Sequence, residues 1–235
     1  PYMLDNAHSF FLSYNHISAS FDLQLNYAFY TEQTPNFDLD LINGSPLTGD
    51  VSLLYTRNHI FGGAYGTSFG GYAFVEEVAF NFTEDPDGTN IGIKNSDITL
   101  NSQITGTLPG GTFAQLNIIY QHIINFDRGD NTYPDSVQED LVEEFNTYFN
   151  QPVQNIAFLI GHIHNSFFHD RLYLALNVGF FFSTDIYLAP RVAFALSDGI
   201  KLETGADIKT GEYSKKYLTR GNLMDNYFVR LKYEY

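Results

Sequence analysis

The sequence contains no cysteine and no tryptophan, and its 12 basic residues are outnumbered by 27 acidic ones. The absence of cysteine excludes a disulfide framework and any chemistry that depends on a thiol. No apolar run reaches the roughly 18 residues that a transmembrane helix needs, so the chain has no candidate for such a helix. The net charge of −15 argues against nucleic acid as a partner, because proteins that bind nucleic acid neutralise its phosphates with lysine and arginine.

Aromatic residues are abundant, with 17 tyrosines and 22 phenylalanines, and many of them recur at every second position. The C-terminal segment shows this alternation most clearly. Successive side chains of a strand point to opposite faces, so Tyr227, Val229 and Leu231 share an apolar face. Arg230 and Lys232 lie on the opposite, charged face. A strand with two such faces separates an apolar medium from an aqueous one.

The segments before it repeat the pattern over residues 171–182, 186–197 and 200–209. In each of them one row is continuously apolar, and the other is polar, charged or small. A soluble sandwich also buries one face, but its strands are typically about 5–6 residues long. These segments have the length of roughly ten or more residues that crosses a bilayer at a tilt. We therefore predict an all-β fold, an antiparallel up-and-down transmembrane β-barrel, with a soluble β-sandwich as the alternative.

The same alternation extends upstream, so that about eleven strands are predicted in total. Before the four C-terminal strands, the predicted strands are residues 9–16, 21–30, 51–65, 72–82, 97–108, 113–126 and 153–164. Gly62 and Gly63 blur the pattern in the third of these strands and suggest a bulge there.

The connections between the predicted strands alternate between short and long. Outer-membrane barrels have short periplasmic turns and longer extracellular loops, so this parity favours such a barrel with its C-terminus in the periplasm. The predicted periplasmic turns are residues 18–20, 68–71, 109–111, 165–170 and 198–199. The predicted extracellular loops are residues 31–49, 83–95, 127–152 and 210–224, and the short connection 183–185 departs from the rule.

The expected number of strands is odd, whereas a closed bacterial barrel made by one chain has an even number. By the same parity, residues 1–7 would end an outer loop. We therefore expect residues 1–235 to be a single transmembrane barrel domain that forms the C-terminal part of a longer barrel; closure with about 10 or 12 strands is the alternative. Glu76 falls on the outward apolar row, so either a bulge shifts the register there or this position faces a partner.

The C-terminal segment also carries a family resemblance. An aromatic last residue, Tyr235, follows apolar residues at every second position, and this ending resembles the C-terminal β-signal of Gram-negative outer-membrane proteins. Residues 188–207, Gly211 and residues 225–235 resemble a group of porin-like outer-membrane proteins that are mostly of unknown function. The resemblance implies a location in the outer membrane, contact with its lipid and lipopolysaccharide, and a passive pore or uptake channel for small solutes. It transfers no catalytic residues.

Charged residues are concentrated on the inward row of the four C-terminal strands, and they are the candidates for a pore lining. They are Arg171, Arg191, Lys201, Glu203, Asp207, Lys209, Arg230 and Lys232. Two interpretations stay open. The bases form a ladder that steers anionic solutes, or bases and acids form cross-strand ion pairs that line a wet interior.

The connection 127–152 is a long acidic loop that is predicted to contain a short amphipathic helix. Its apolar stripe recurs every four residues and consists of Val137, Leu141, Phe145 and Phe149. A helix of this kind packs against something: it folds into the lumen as a constriction, caps the mouth of the barrel, or binds a partner.

The sequence offers little for a catalytic or metal centre. His162 and His164 share one face of a strand, a spacing that suits a metal, but no third ligand is in view. A hydrolase would need a serine paired with a histidine, and no Gly-x-Ser-x-Gly motif is present. The acidic segment 85–90 is interpreted as a plain polar turn rather than a calcium loop. We therefore expect neither an enzyme nor a cofactor.

The predicted function is a porin-like channel for passive diffusion or uptake of small solutes across the outer membrane. The alternative is a structural or scaffold barrel that is plugged by a partner protein or sheathes one. Glu76 on the outward row would suit the scaffold, because a carboxylate facing lipid is unfavourable. The expected partners also include another protein or a second copy of the chain in a homo-oligomer.

Overall fold

The computed structural model describes residues 9–32, 35–38, 52–88, 90, 92–126, 143–146, 148–149, 151, 153–181, 185–197, 199–210 and 225–233. The described part of the chain is all-β and contains thirteen strands. These are β1 (Phe10–Ile17), β2 (Phe21–Thr31), β3 (Asn36–Asp38), β4 (Ser52–Leu54), β5 (Arg57–Phe69), β6 (Tyr72–Phe82), β7 (Asp97–Leu108), β8 (Thr112–Ile123), β9 (Asn155–Phe167), β10 (Leu172–Phe181), β11 (Asp185–Ser197), β12 (Ile200–Thr210) and β13 (Asn226–Tyr233).

Eleven of these strands form one antiparallel sheet, in the order β1-β2-β5-β6-β7-β8-β9-β10-β11-β12-β13. The prediction of about eleven long antiparallel strands is therefore confirmed. Each strand of the sheet lies beside its nearest neighbours along the chain, as an up-and-down meander requires. Among the described residues, no helix has the length and apolar character needed to cross a membrane.

The third predicted strand, residues 51–65, is wrong in its boundaries. The structure begins β5 at Arg57 and continues it to Phe69, without interruption at Gly62 and Gly63. Residues 52–54 form β4, which pairs with β3 in a separate two-stranded sheet. β3 lies inside what was predicted as the loop 31–49. The strand is interrupted between β4 and β5, where Thr56 is buried. The Thr56 side chain accepts a hydrogen bond from the Asn36 side chain, and the Thr56 carbonyl accepts one from the Glu32 backbone N–H.

Two other boundaries differ because left-handed backbone ends the strands. β8 stops at Ile123, before the predicted end at residue 126, and Asn125 has a φ of 54°. β9 runs on to Phe167, past the predicted end at residue 164. The turn that follows places three consecutive non-glycine residues at positive φ, Phe168–Asp170. Residues other than glycine seldom adopt this conformation, so the turn could not be located from glycine or proline.

The register of β10 to β13 keeps the two predicted rows apart. Leu174 pairs with Val192, and Leu202 pairs with Leu231, so apolar residues meet on one face. Tyr173 pairs with Ala193 on the other face. Large side chains of the apolar row are exposed. They include Leu174, Phe180, Val192, Phe194, Leu202, Val229 and Leu231.

The chain divides into two compact units. Unit 1 consists of Pro1–Tyr65, Glu77–Leu100 and Tyr120–Ile156, and unit 2 of Gly66–Glu76, Asn101–Ile119 and Ala157–Tyr235. In unit 1, aromatic rings line an apolar row, with Tyr27 and Phe61 centroids 4.8 Å apart and Phe61 and Phe82 centroids 6.0 Å apart. Phe61 and Phe82 are exposed.

The buried residues of unit 1 are mostly polar and hydrogen-bonded. Gln151 is clamped to the backbone of Asn95, because its Oε1 accepts from the Asn95 N–H at 3.1 Å and its Nε2 donates to the Asn95 carbonyl at 2.9 Å. Asn58 donates to Glu32 at 3.2 Å, and Asn81 donates to Asp97 at 3.3 Å. A buried polar group is stable only when it is hydrogen-bonded, so these bonds hold the unit together.

Candidate functional site

The candidate site lies on the polar face of β9 to β13, within unit 2. A cavity of about 490 Å³ is formed there by side chains that alternate along these strands and along the turn before β10. Its lining residues are His162, Ser166, Asp170, Arg171, Tyr173, Ala175, Asn177, Arg191, Ala193, Ala195, Lys201, Glu203 and Lys232. The small side chains of Ala175, Ala193 and Ala195 leave the space that the charged side chains surround.

Arg191 is held by several partners at once. Its Nη2 donates to Asp207 Oδ1 at 2.8 Å, and its Nη1 donates to the Ala206 carbonyl at 2.9 Å. The Tyr187 hydroxyl donates to the same Asp207 oxygen at 2.8 Å. The guanidinium also lies 4.6 Å above the centre of the Phe228 ring. Because these contacts come from two neighbouring strands, they fix the position of the guanidinium on the wall.

The Arg191 side chain passes over Gly205, which has no side chain to obstruct it. The two residues are directly opposite each other in the pairing of β11 with β12. A Cβ at Gly205 would lie 2.7 Å from Arg191 Cδ, from Arg191 Nη1 and from the Pro190 carbonyl oxygen. Such distances are well inside van der Waals contact, so the Arg191 side chain crosses β12 only because residue 205 has no side chain.

A second ion pair joins the last two strands. Lys232 Nζ pairs with Glu203, and Arg230 stands directly opposite Glu203 in the register of β12 with β13. The Arg230 guanidinium lies 4.4 Å from the centre of the Phe228 ring, on which Arg191 also stacks. The Phe228 ring is therefore in contact with two guanidinium groups.

The eight residues predicted to line a pore are not equivalent in the structure. Arg171, Arg191, Lys201, Glu203 and Lys232 line the cavity together. Asp207 is the partner of Arg191, Arg230 stacks on Phe228, and Lys209 Nζ lies 5.9 Å from the centre of the Tyr187 ring. Cross-strand ion pairs are thus present for Arg191 and Lys232. A role of these residues in lining a pore stays a prediction.

His162 and His164 form a hydrogen-bonded pair on the same face. His162 Nε2 lies 2.9 Å from His164 Nδ1, and His162 Nδ1 lies 2.6 Å from Asn177 Oδ1. Phe113 stacks on the His164 ring at 4.8 Å between centroids. Both ring nitrogens of His162 are engaged within the wall. No cluster of three or more His, Cys, Asp or Glu side chains suited to a metal occurs in the part of the chain that the structure describes.

The predicted loop helix is only partly within the described residues, and Val137 and Leu141 lie outside them. Residues 143–146 are helical, and the Phe149 N–H donates to the Phe145 carbonyl at 2.9 Å. The Phe145 and Phe149 rings stack at 6.3 Å between centroids. The Tyr148 hydroxyl donates to the Pro35 carbonyl at 3.3 Å, so this segment contacts the residue before β3 within unit 1.

Comparison with known proteins adds no family to this description. No family model matches the sequence, and no curated protein matches it. The cavity is lined by four bases and two acids, which are Arg171, Arg191, Lys201, Lys232, Asp170 and Glu203. Such a lining suits contact with small charged molecules.

Several residues of the site were not predicted from the sequence. Tyr187 and Phe228 lie on the inward rows but carry no charge, and Gly205 is one small residue among others on its row. Their roles depend on which residue stands opposite them, as the pairing of Arg191 with Gly205 and of Gly205 with Phe228 shows. The signal that could have found them is the register of β11 with β12 and of β12 with β13, which period-two alternation does not supply.

Proposed function

We propose that the protein is a porin-like transmembrane β-barrel of a Gram-negative outer membrane, and that it is a channel for the passive diffusion or uptake of small solutes. The observation that carries the proposal is the contrast between the two faces of β10 to β13. One face exposes a row of large apolar side chains, and the other carries the charged cavity. Soluble monomers rarely expose a large contiguous apolar surface, whereas a barrel turns it toward lipid.

Strand length supports the same proposal. β5, β9 and β11 have 13 residues each, and β7 and β8 have 12. A transmembrane strand needs about 9–11 residues when it is tilted by roughly 45°. These strands are therefore long enough to cross the hydrocarbon layer and to reach the aqueous phase at each end.

The polar face supports transport rather than a purely structural role. The cavity of about 490 Å³ is lined by basic and acidic side chains. Such side chains can interact with a charged molecule that enters from water. The ion pairs that hold Arg191 and Lys232 also keep these charges at fixed places along the wall. Fixed charges of this kind set the ion preference of a pore.

The test is single-channel conductance of the folded, full-length protein in planar bilayers, alone and with Arg191→Glu or Lys201→Glu. We expect a steady conductance whose preference for anions falls in both variants. Arg57→Glu introduces the same change of charge at an exposed residue of unit 1 outside the cavity and should leave the preference unchanged. A correctly folded barrel that gives no conductance would contradict the proposal.

A scaffold barrel is the second candidate, and it is favoured by the position of Glu76 on an apolar row. Ser102 Oγ donates to Glu76 Oε2 at 2.6 Å. By alternation Glu76 shares a row with the exposed Phe74, and Ser102 shares one with the exposed Ile104. A carboxylate on a lipid-facing row is unfavourable, and a protein partner that covers it would relieve the cost.

The two candidates differ in what Glu76→Leu does. If a partner or a second copy covers Glu76, the detergent-extracted protein should have a native mass well above that of one chain, and the variant should reduce it. If lipid covers this row, the variant should keep the native mass of the wild type and unfold at a higher denaturant concentration. Glu77→Leu, on the opposite row of β6, is the matched control.

A further inference from the structure

We propose that unit 1 contains a binding site for one Ca²⁺ ion, held between the side-chain oxygens of Asn58 and Asn81 and flanked by the carboxylates of Glu32 and Asp97. Such a site goes beyond the proposed channel function, because it lies on strands other than those of the cavity and does not depend on conduction. The polar contacts at one end of the sheet point to it.

The two amide oxygens belong to side chains that are shielded from water. Asn58 is fully buried, and Asn81 is 9% exposed. Each amide nitrogen donates to a carboxylate, that of Asn58 to Glu32 Oε2 at 3.2 Å and that of Asn81 to Asp97 Oδ2 at 3.3 Å. Neither amide oxygen accepts a hydrogen bond from a residue that the structure describes. A buried acceptor without a donor is unfavourable, so both oxygens need a partner.

Turning the two amides over does not satisfy these oxygens. In the turned orientation the Asn58 oxygen would face Glu32, and the Asn81 oxygen would face Asp97. Acceptors would then be in contact at the 3.2 and 3.3 Å that now separate each amide nitrogen from its carboxylate. A carboxylate accepts and does not donate, so Glu32 and Asp97 keep the amide nitrogens toward themselves and the oxygens away.

The two oxygens are directed toward the same place between β5 and β6. These neighbouring strands are joined by the two-residue turn of Gly70 and Gly71, and counting along both strands from this turn places Thr83 opposite Asn58. Asn81 lies two residues from Thr83 and therefore on the same face, as a diagonal neighbour of Asn58. Asn58 donates toward the β2 side and Asn81 toward the β7 side, so their oxygens point into the interval between β5 and β6.

The two carboxylates are linked to each other on their other sides. Asn36 Nδ2 donates to Glu32 Oε2 at 3.4 Å, and Asn36 Oδ1 accepts from the Lys94 backbone N–H at 3.2 Å. Lys94 Nζ pairs with Asp97 Oδ2 at 3.6 Å. All these contacts form a polar ring whose members are Asn58, Glu32, Asn36, Lys94, Asp97 and Asn81. The polar ring is open only between the two amide oxygens.

The charges of the polar ring favour a cation. The ring contains the carboxylates of Glu32 and Asp97 and the ammonium group of Lys94, so two negative charges and one positive charge leave a net charge of −1. Within the described ranges, Glu32 has no ion-pair partner. Arg57 is next to Asn58 in the sequence but lies on the opposite face of β5. A water molecule could donate to both oxygens, but it would leave this charge uncompensated.

The ligand types select the ion. Ca²⁺ takes about 6–8 oxygen ligands in flexible geometry, and carboxylates and asparagine side-chain oxygens are among those it prefers. Mg²⁺ requires an octahedron and usually keeps several waters, which suits a buried site of side-chain oxygens less well. The amide oxygens and the flanking carboxylates therefore suit Ca²⁺.

The position of the site indicates what the ion would do. Glu32 directly follows β2, Asn58 and Asn81 lie near the ends of β5 and β6, and Asp97 begins β7. An ion there would hold four neighbouring strands together. A ligand that binds the folded chain and not the unfolded one stabilises the fold by mass action. The same end of the sheet carries connections that are predicted to be extracellular, so the ion would come from the external medium.

The experiment uses the refolded, full-length protein in detergent after treatment with a chelator. Ca²⁺ is titrated by calorimetry, with Mg²⁺ as the comparison ion, and urea unfolding is measured with and without Ca²⁺. Tb³⁺ serves as a luminescent substitute for Ca²⁺. Tyrosine is the sensitiser, because the chain has no tryptophan and the Tyr30 hydroxyl lies 3.5 Å from Asn58 Nδ2. We expect Ca²⁺ to bind, to raise the unfolding midpoint and to displace Tb³⁺.

The variants test the two amide oxygens directly. Asn58→Leu and Asn81→Leu each remove one ligand oxygen and should weaken Ca²⁺ binding by at least about tenfold, since residues that merely support metal ligands already contribute that much. Asn26→Leu is the matched control on the polar row of β2, because Asn26 Oδ1 already accepts from Gln24 Nε2 at 3.2 Å. It should bind Ca²⁺ as the wild type does.

Asn58→Asp separates a ligand from a structural residue, and it decides the question if the leucine variants do not fold. It keeps an oxygen at the site but places a second carboxylate beside Glu32. Without Ca²⁺ it should unfold earlier than the wild type, and with Ca²⁺ it should gain more. A purely structural role of Asn58 predicts a loss that Ca²⁺ does not restore, and this result would overturn the proposal. So would a wild-type midpoint that does not respond to Ca²⁺, or binding that both leucine variants leave unchanged.

Discussion

Replacing Ile104 by arginine is expected to lower the free energy of unfolding in lipid by about 2–4 kcal/mol. Ile104 lies in β7 and is 43% exposed. On the surface of a soluble protein such a substitution usually changes stability by less than about 0.5 kcal/mol. In a transmembrane barrel the same side chain faces hydrocarbon, where a guanidinium is strongly disfavoured. The size of the effect therefore reports directly on the medium that covers the apolar face.

The matched control is Gln103→Arg, one residue earlier on the same strand and on the opposite face. A charge there faces the polar side, so the change in unfolding free energy should be below about 1 kcal/mol. The measurement is urea unfolding of the protein in lipid vesicles. Tyrosine fluorescence or circular dichroism is the readout, since the chain has no tryptophan. Equal, small effects at both positions would favour the soluble β-sandwich over the barrel.

The second large effect is expected at Gly205, where alanine should lower the free energy of unfolding by about 1–3 kcal/mol. The new Cβ would lie 2.7 Å from Arg191 and from the Pro190 carbonyl oxygen. The arginine side chain can move, but the carbonyl is part of the β11 backbone. Relief of the clash therefore breaks the pairing of Arg191 with Asp207 or shifts the strand, and both cost stability.

Gly161→Ala is the control for Gly205→Ala, because it adds the same methyl group to another strand of unit 2. The nearest atom to a Cβ at Gly161 is the Val178 carbonyl oxygen at 3.9 Å, which is ordinary contact. We expect this variant to be neutral or slightly stabilising, since alanine restricts the unfolded chain. Urea unfolding of both variants in an Arg191→Ala background gives the coupling. If Gly205→Ala costs as much there as in the wild type, the clash is not with the arginine side chain.

The long strands could be predicted because each of them carries its signal in its own residues. Alternation over ten or more positions separates an apolar row from a polar one, and it correctly placed Leu202 and Leu231 on apolar rows. β3 and β4 escaped prediction because strands of three residues are too short to show a period. Their stability comes from contacts distant in sequence, such as the hydrogen bond from Asn36 to Thr56.

The candidate site could be predicted as a set of charges but not as an arrangement. Alternation places Arg191, Lys209 and Arg230 on inward rows, and all three are plausible partners for Asp207 by that criterion. Only the register between strands shows that Arg191 is the partner and that Lys201 stands opposite Lys232. A shift of one residue in a turn would change every pair, so the residues of one strand do not determine them.

The bases that line the cavity lie in a strongly acidic chain, and for the channel proposed above this contrast predicts how transport depends on salt. The Debye length is about 30 Å at 0.01 M ionic strength and about 8 Å at 0.15 M. In dilute buffer the net charge of −15 therefore repels an approaching anion over distances much larger than the cavity. Moderate salt screens this repulsion before it weakens contacts of a few ångströms at the cavity wall. If the protein conducts as proposed, anions should therefore enter faster at about 0.15 M than at about 0.01 M ionic strength.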